Sequence, residues 1–450
     1  MSKKPNYLKI SNLKNRPKCL APWLQMWAKV MPQGYDIKPC CVYEDEFNTD
    51  SIEEYLNSNE LKELTKTLEK GELPPGCWRC ANGDNEWIRY EKYVKKGREL
   101  AKLEDIKEIF KDVDDQFTML DIRPGNLCNL KCRMCNSSSS TEIAKENAVM
   151  KEDKELLQGL EELYKDSASL PLLTEKKEYF KKYSDHTYSQ TETHQNRIDQ
   201  LFNYAKLHRL KLLGGEPSID PAIISIMQHL IDKGYSNDSS AATHHGKFQL
   251  QIVTNMTNVN KVWKDYFKKL NVKITASVDG AGRTFEYQRY PAKWKTIERN
   301  IKAIKPAERG ENISMNIVMT NILYLDIKHW IPELQKLQNE TADFNINFIE
   351  CPFPKHMSIN IIPQKYKKMI LKDIKYLIDG GKCKGQVEKI LKQSEKELTK
   401  SMFREGNINL LKAFFMIMMK QDKLRKQNIF DINYTKEMYN EYVVDQSKEI

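Results

Sequence analysis

The sequence has no long hydrophobic run. Its most apolar stretch, 410–419, contains Lys412 and is too short to cross a bilayer, so no membrane span is expected. The opening residues, MSKKPNYLKISNLK, lack the apolar segment of a secretory signal, and a cytosolic address is the expectation. There is no internal repeat and no low-complexity tract. Strong charge of one sign is missing as well. Lys and Arg number 72 against 62 Asp and Glu, a formal +10 over 450 residues, and Glu is mixed with Lys nearly throughout. The aromatic residues lack the basic interleaving of a nucleic-acid platform, so nucleic-acid binding is not indicated.

What remains is a polar, Lys-rich globular profile, 40% apolar and 30% charged, long enough for one large domain with additions. It has ten cysteines, which in a reducing compartment point to metal rather than to disulfides. They are clustered: Cys19, Cys40, Cys41, Cys77 and Cys80 near the start, then Cys128, Cys132 and Cys135 on one loop. Cys351 and Cys383 stand alone. Cys351 follows a strand and reads as a small core residue or as a thiol facing the active end of the fold.

From residue 117 onward, short apolar runs alternate with amphipathic ones. Strands are expected at 117–123, 207–213, 248–254, 272–278, 313–319 and 344–349, with helices at 221–233, 259–270, 294–305 and 325–337. This pattern predicts an α/β fold, a partial (β/α)6 barrel of the TIM type, with chemistry at the C-terminal ends of its strands. The expected division is a small cysteine-rich module at 15–100, the barrel at 115–365 with a helical insertion at 151–203, and a helical C-terminal extension at 366–450. In that extension, Leu410, Leu411, Phe414, Phe415 and Met418 are spaced as one buried helix face.

The run LDIRPGNLCNLKCRMC places Cys128, Cys132 and Cys135 at C-x3-C-x2-C spacing directly after the first expected strand. Three thiolates on one loop can hold three irons of a [4Fe–4S] cluster and leave the fourth iron open. A structural zinc is the alternative, although one three-cysteine loop does not close a tetrahedron. Leu213-Gly214-Gly215-Glu216-Pro217 ends the second strand. Its glycines allow close backbone approach and its carboxylate suits an ammonium group.

Together these motifs resemble the radical S-adenosylmethionine (SAM) superfamily. The resemblance implies that Cys128, Cys132 and Cys135 bind a [4Fe–4S] cluster whose open iron takes SAM. Reductive cleavage of SAM would then give a 5′-deoxyadenosyl radical that abstracts hydrogen from a substrate. It places Met134 beside the adenine and Gly214, Gly215 and Glu216 at the SAM amino group. Thr254, Asn255, Ser277, Asp279 and Asn316 fall at ribose-type positions, and Arg289, in EYQRYPAKW, falls at the SAM carboxylate.

The N-terminal set, KCLAPWLQMW…GYDIKPCC…LPPGCWRC, resembles the twitch and SPASM modules of this superfamily, here preceding the barrel. That resemblance implies an auxiliary [4Fe–4S] cluster on Cys19, Cys40, Cys77 and Cys80. Cys41 is the alternative to Cys40, and zinc the alternative to the cluster. It also implies a peptide or protein substrate and an electron donor such as flavodoxin or ferredoxin. The competing class is an iron–sulfur electron carrier or cluster-binding interaction protein without SAM chemistry.

Overall fold

The computed structural model describes residues 19, 21–31, 33–77, 117–164, 170–185, 190–203, 205–235, 248–270, 272–304, 313–341, 344–381 and 383–444. Cys80 lies outside the described residues. In chain order the strands are β1 (Gln25–Met31), β2 (Gly34–Lys38), β3 (Phe47–Thr49), β4 (Phe117–Arg123), β5 (Lys131–Cys132), β6 (Ala205–Leu212), β7 (Gln249–Thr254), β8 (Lys273–Ser277), β9 (Arg289–Tyr290), β10 (Ile313–Met319) and β11 (Asn345–Glu350). The chain packs as two units. One comprises Met1–Gly125, His186–Ile252 and Asp265–Val272, and the other Asn126–Asp185, Val253–Lys264 and Lys273–Ile450.

In the first unit, β7, β6, β4 and β1 pair in parallel, and β1, β2 and β3 continue antiparallel. β4 carries Phe117, Met119, Leu120 and Ile122 buried, the near-continuous apolar character of a strand covered on both faces. The connection from β6 to β7 includes the helix Pro221–Asp232, capped by the Asp220 side chain on Ala222 N–H, with proline at its first turn. β1, absent from the sequence expectation, lies beside β4. Its polar residues are matched there: Gln25 Nε2 donates to Asp121 at 3.2 Å, and Lys29 faces Asp36 at 3.9 Å.

In the second unit, β8, β10 and β11 run parallel. Helices Gly282–Gln288 and Trp294–Ile304 connect β8 to β10, and Asn321–Leu325 and Ile327–Glu340 connect β10 to β11. Trp294, Ile297 and Ile301 are buried at helical spacing. β5 and β9 form a separate two-residue antiparallel ribbon. Helices fill the segment after the cysteine loop (Thr141–Met150, Lys154–Leu163, Lys177–Ser184) and the C-terminal region (Gln364–Asp379, Gly385–Ser401, Ile408–Arg425). The chain is α/β, with parallel strands joined through helices and a helical C-terminal region, consistent with a partial TIM barrel. Leu411, Phe414, Phe415 and Met418 are buried as expected, whereas Leu410 is half-exposed. The buried face continues instead into Gln421, Asp422 and Arg425. No helix among the described residues is long and apolar enough to cross a membrane.

Candidate functional site

The cysteine loop of the second unit is fixed by its own backbone before any ligand is considered. Thr141 Oγ1 accepts from Cys128 N–H at 3.3 Å and donates to Cys128 O at 3.2 Å. Ser140 Oγ donates to Leu130 O at 2.8 Å while capping the helix Thr141–Met150. Cys135 N–H donates to Cys132 O at 3.0 Å. Asn126, just before the loop, donates to Ser137 O at 3.1 Å and Tyr183 O at 2.8 Å. Cys128 and Cys132 are buried and Cys135 is half-exposed. Burial pushes the Cys132 thiol up to about 12, against the pull of the Arg289 charge.

The β5–β9 ribbon sets Cys132 opposite Arg289. Arg289 is buried and ion-paired with Asp279. Burial works against its charge, but Cys132 and Asp279 outweigh that and hold the guanidinium firmly protonated. The other Asp279 oxygen accepts from Val318 N–H at 2.8 Å. Gln288 Nε2 donates to Thr320 Oγ1 at 3.2 Å and lies 3.8 Å from Met134 Sδ. Arg289 Nε, Gln288 Oε1 and Asn126 Oδ1 are buried without a hydrogen-bond partner. Such groups are costly when left unmatched, which favours a polar ligand beside the loop.

The other candidates of this unit are also placed. Asn255 Nδ2 donates to Asn129 Oδ1, within the cysteine loop, at 2.8 Å, and Asn255 Oδ1 accepts from Thr257 N–H at 2.9 Å. Thr254 Oγ1 accepts from Met256 N–H at 3.1 Å, where Met256 takes a positive φ of 62°. Ser277 and Asn316 are register partners on β8 and β10, and Asn316 Oδ1 accepts from Asn347 at 2.9 Å. Sequence reading missed Asn126, Asn129, Gln288 and Arg133. Arg133 stands inside the motif and is buried: it donates to Tyr287 O and Gln421 at 3.0 Å each and pairs with Asp422 at 2.5 Å. Only the oddity of an arginine between two expected ligands could have pointed to it.

Gly214, Gly215 and Glu216 lie in the first unit, after β6. Gly214 has φ +148°, and a Cβ there would stand 3.1 Å from Gly125 O, which also accepts from Gly215 N–H at 3.2 Å. The turn therefore runs against backbone that leaves a side chain only a tight fit, in a conformation that favours glycine. Glu216 is buried, and its Oε1 accepts from Ser218 N–H at 3.0 Å.

The first unit also contains a small apolar pocket, with a cavity volume of about 20 Å³, lined by Cys19, Cys40 and Cys77 with Tyr43, Leu64 and Leu68. Burial pushes the Cys40 thiol up to about 12. Cys41 does not line this pocket. Its thiol is also raised by burial, and its charged neighbours are Asp121, Lys211, Arg209 and Arg123, on β4 and β6.

Among the described residues, no group of three or more His, Cys, Asp or Glu is disposed to hold a metal ion. A cubane takes each thiolate at a different iron, so its cysteines need not converge on one point as zinc ligands do. The donor set of the Cys128–Cys135 loop fits such a cluster: three sulfurs, anchored loop backbone and adjacent buried arginine.

Residues 122–326 match the family model described as Radical SAM superfamily. The chain carries a radical SAM domain. Among curated proteins nothing matches. Solved structures similar to this chain include native anSMEcpe with bound AdoMet, at 14% identity and TM-score 0.33, covering 58% of this chain and 62% of that one. The chain thus spans less than two thirds of the anSMEcpe length. Another is Streptococcus suis SuiB bound to the precursor peptide SuiA, at 12% identity and TM-score 0.32, covering 82% and 71%. SuiB bound to S-adenosylmethionine aligns at 13% identity and TM-score 0.30, covering 80% and 69%.

Proposed function

We propose that the chain is a radical SAM enzyme acting on a peptide or protein, with Cys128, Cys132 and Cys135 holding the SAM-binding [4Fe–4S] cluster. When bound, the cluster and SAM would supply a 5′-deoxyadenosyl radical able to remove a hydrogen atom from an unreactive carbon. The observation that carries this reading is the cysteine loop, pinned at Cys128, Leu130 and Cys135 and paired through Cys132 with buried Arg289. Arg289 supplies a fixed positive charge and an unpartnered Nε–H for a carboxylate. Asp279, bonded to both Arg289 and Val318 N–H, acts in this reading as the positioner of that arginine rather than as a ribose ligand. Thr254, Asn255, Ser277 and Asn316 stay the ribose-side candidates, Met134 the adenine-side one, and Gly214, Gly215 and Glu216 the amino-group turn.

The same proposal assigns an auxiliary [4Fe–4S] cluster to Cys19, Cys40, Cys77 and Cys80. Its support is that the three described members line one pocket that Cys41 does not enter. The peptide or protein substrate and a flavodoxin- or ferredoxin-type donor rest on the resemblance of this cysteine set to twitch and SPASM modules. The test is electron paramagnetic resonance of the anaerobically reconstituted, dithionite-reduced protein with and without SAM, alongside 5′-deoxyadenosine release. A SAM-dependent change in the cluster signal, lost in Cys132→Ala, is expected. A fully loaded wild type whose signal ignores SAM would return the chain to the electron-carrier class.

A further inference from the structure

The second unit contains a pocket that none of the residues assigned above explains. It opens where β10 and β11 end, beside Met319, Glu350 and Cys351, and the last turn of the helix Gly385–Ser401 forms its side. Its cavity volume is about 220 Å³, with Tyr324, Glu350, Cys351, Glu397, Lys400 and Arg404 on its walls. This is the C-terminal end of parallel strands, where α/β folds of this class place their chemistry.

Its charges are not all internally matched. Lys400 Nζ donates to both oxygens of Glu397, at 3.0 and 3.3 Å. The Arg404 guanidinium forms no ion pair among the described residues, yet its backbone is held. Buried Lys367 donates to Ser401 O at 2.9 Å and to Arg404 O at 3.1 Å, and Arg404 N–H donates to Ser401 O at 3.1 Å. Gly406, two residues on, packs so closely that a Cβ would stand 2.9 Å from Ile361 O. The arginine head is therefore presented from a fixed segment.

Two aromatic side chains flank the lining residues in sequence and face solvent: Phe403, 91% exposed, and Phe353, 50% exposed. The pocket also adjoins the site already described: Met319, on its wall, follows Val318, whose N–H donates to Asp279 at 2.8 Å. Cys351 Sγ donates to Phe353 O at 3.3 Å.

We propose that this is the substrate pocket, and that it takes a peptide segment bearing a carboxylate, held by Arg404 with the exposed aromatics against neighbouring side chains. The proposal rests on the radical SAM reading and names its substrate class. A free guanidinium on a rigid backbone is suited to a carboxylate, and the exposed aromatic surface suits a peptide better than a small acid.

The test uses reconstituted protein saturated with SAM and a pool of synthetic pentapeptides in three forms: free C-terminus, C-terminal amide, and C-terminal amide with one internal Glu. Retention is read by equilibrium dialysis with mass spectrometry. The two carboxylate-bearing forms, or one of them, should be retained about tenfold more than the neutral amides, which also tells a chain terminus from an acidic side chain. Arg404→Gln should abolish that preference and Phe403→Ala should weaken retention of every form. Lys392→Gln, on the helix Gly385–Ser401, should change neither. Equal retention of charged and neutral peptides by the wild type overturns the proposal, as does an Arg404→Gln protein that melts like wild type and keeps the preference. Release of 5′-deoxyadenosine is followed in the same preparations. Its absence with the peptide preference intact would remove the radical reading and leave a peptide site. Its presence with equal retention would remove the pocket reading alone.

Discussion

Both carboxylate oxygens of Asp279 are committed to protein donors, the Val318 amide and the Arg289 guanidinium. Asp279→Asn keeps the shape and removes the charge, leaving a buried arginine without its acid. Breaking a buried pair from one side costs about 3–5 kcal/mol, and urea denaturation should show a loss of that order. A midpoint equal to wild type would mean that the pair is not maintained in solution. Gly214 tests a different constraint. Its φ of +148° and the nearness of Gly125 O make Gly214→Ala strained, at a cost of about 1–3 kcal/mol by the same measurement. The glycines and strand-end residues were legible in sequence because motif and position suffice to suggest them. The Asp279–Arg289 pair was not, since it depends on a two-residue ribbon and on the geometry of the helix Gly282–Gln288 between them.

At the level of elements, the helix Ile408–Arg425 shows where pattern reading stops. Its apolar stripe was visible at 411, 414, 415 and 418. Its continuation into Gln421, Asp422 and Arg425 was not, because charged residues at core spacing read as a solvated end. They are buried through partners 135 to 289 positions away. Asp422 takes Arg133 of the cysteine loop and the Tyr287 hydroxyl, and Arg425 pairs with Glu146, which also faces Lys131 at 3.8 Å. The C-terminal region thus supports the cysteine loop from behind. Asp422→Asn should destabilise the chain by about 3–5 kcal/mol. It should also lower the iron retained after reconstitution while every cysteine is intact. Met419→Ala, on the exposed side of the same helix, should stay within about 0.5 kcal/mol of wild type. Full iron retention in Asp422→Asn would mean that the loop holds its shape without the helix. Strands β1–β3 escaped sequence reading for a related reason. Gln25 and Lys29 interrupt the apolar run of β1 and meet Asp121 and Asp36 once the sheet has formed.

For the whole molecule, two sets of cysteines stand out, one in each packing unit. Cys19, Cys40 and Cys77 line a pocket in the first, and Cys128, Cys132 and Cys135 share a loop in the second. If each set holds a cubane, the loaded chain binds about eight irons, and each set can be emptied without the other. Cys128→Ala/Cys132→Ala/Cys135→Ala should retain about four irons and lose every SAM-dependent change in the cluster signal. Cys19→Ser/Cys40→Ser should also retain about four, but should keep that SAM response. Cys41→Ser should retain the full complement, because its charged neighbours are on β4 and β6 and it does not line the pocket. Metal analysis by mass spectrometry with Mössbauer spectroscopy reads all three. Recovery of about one zinc with four irons in the wild type would make the N-terminal set a structural zinc site, and the electron route would then have to reach the radical SAM cluster without a second cluster.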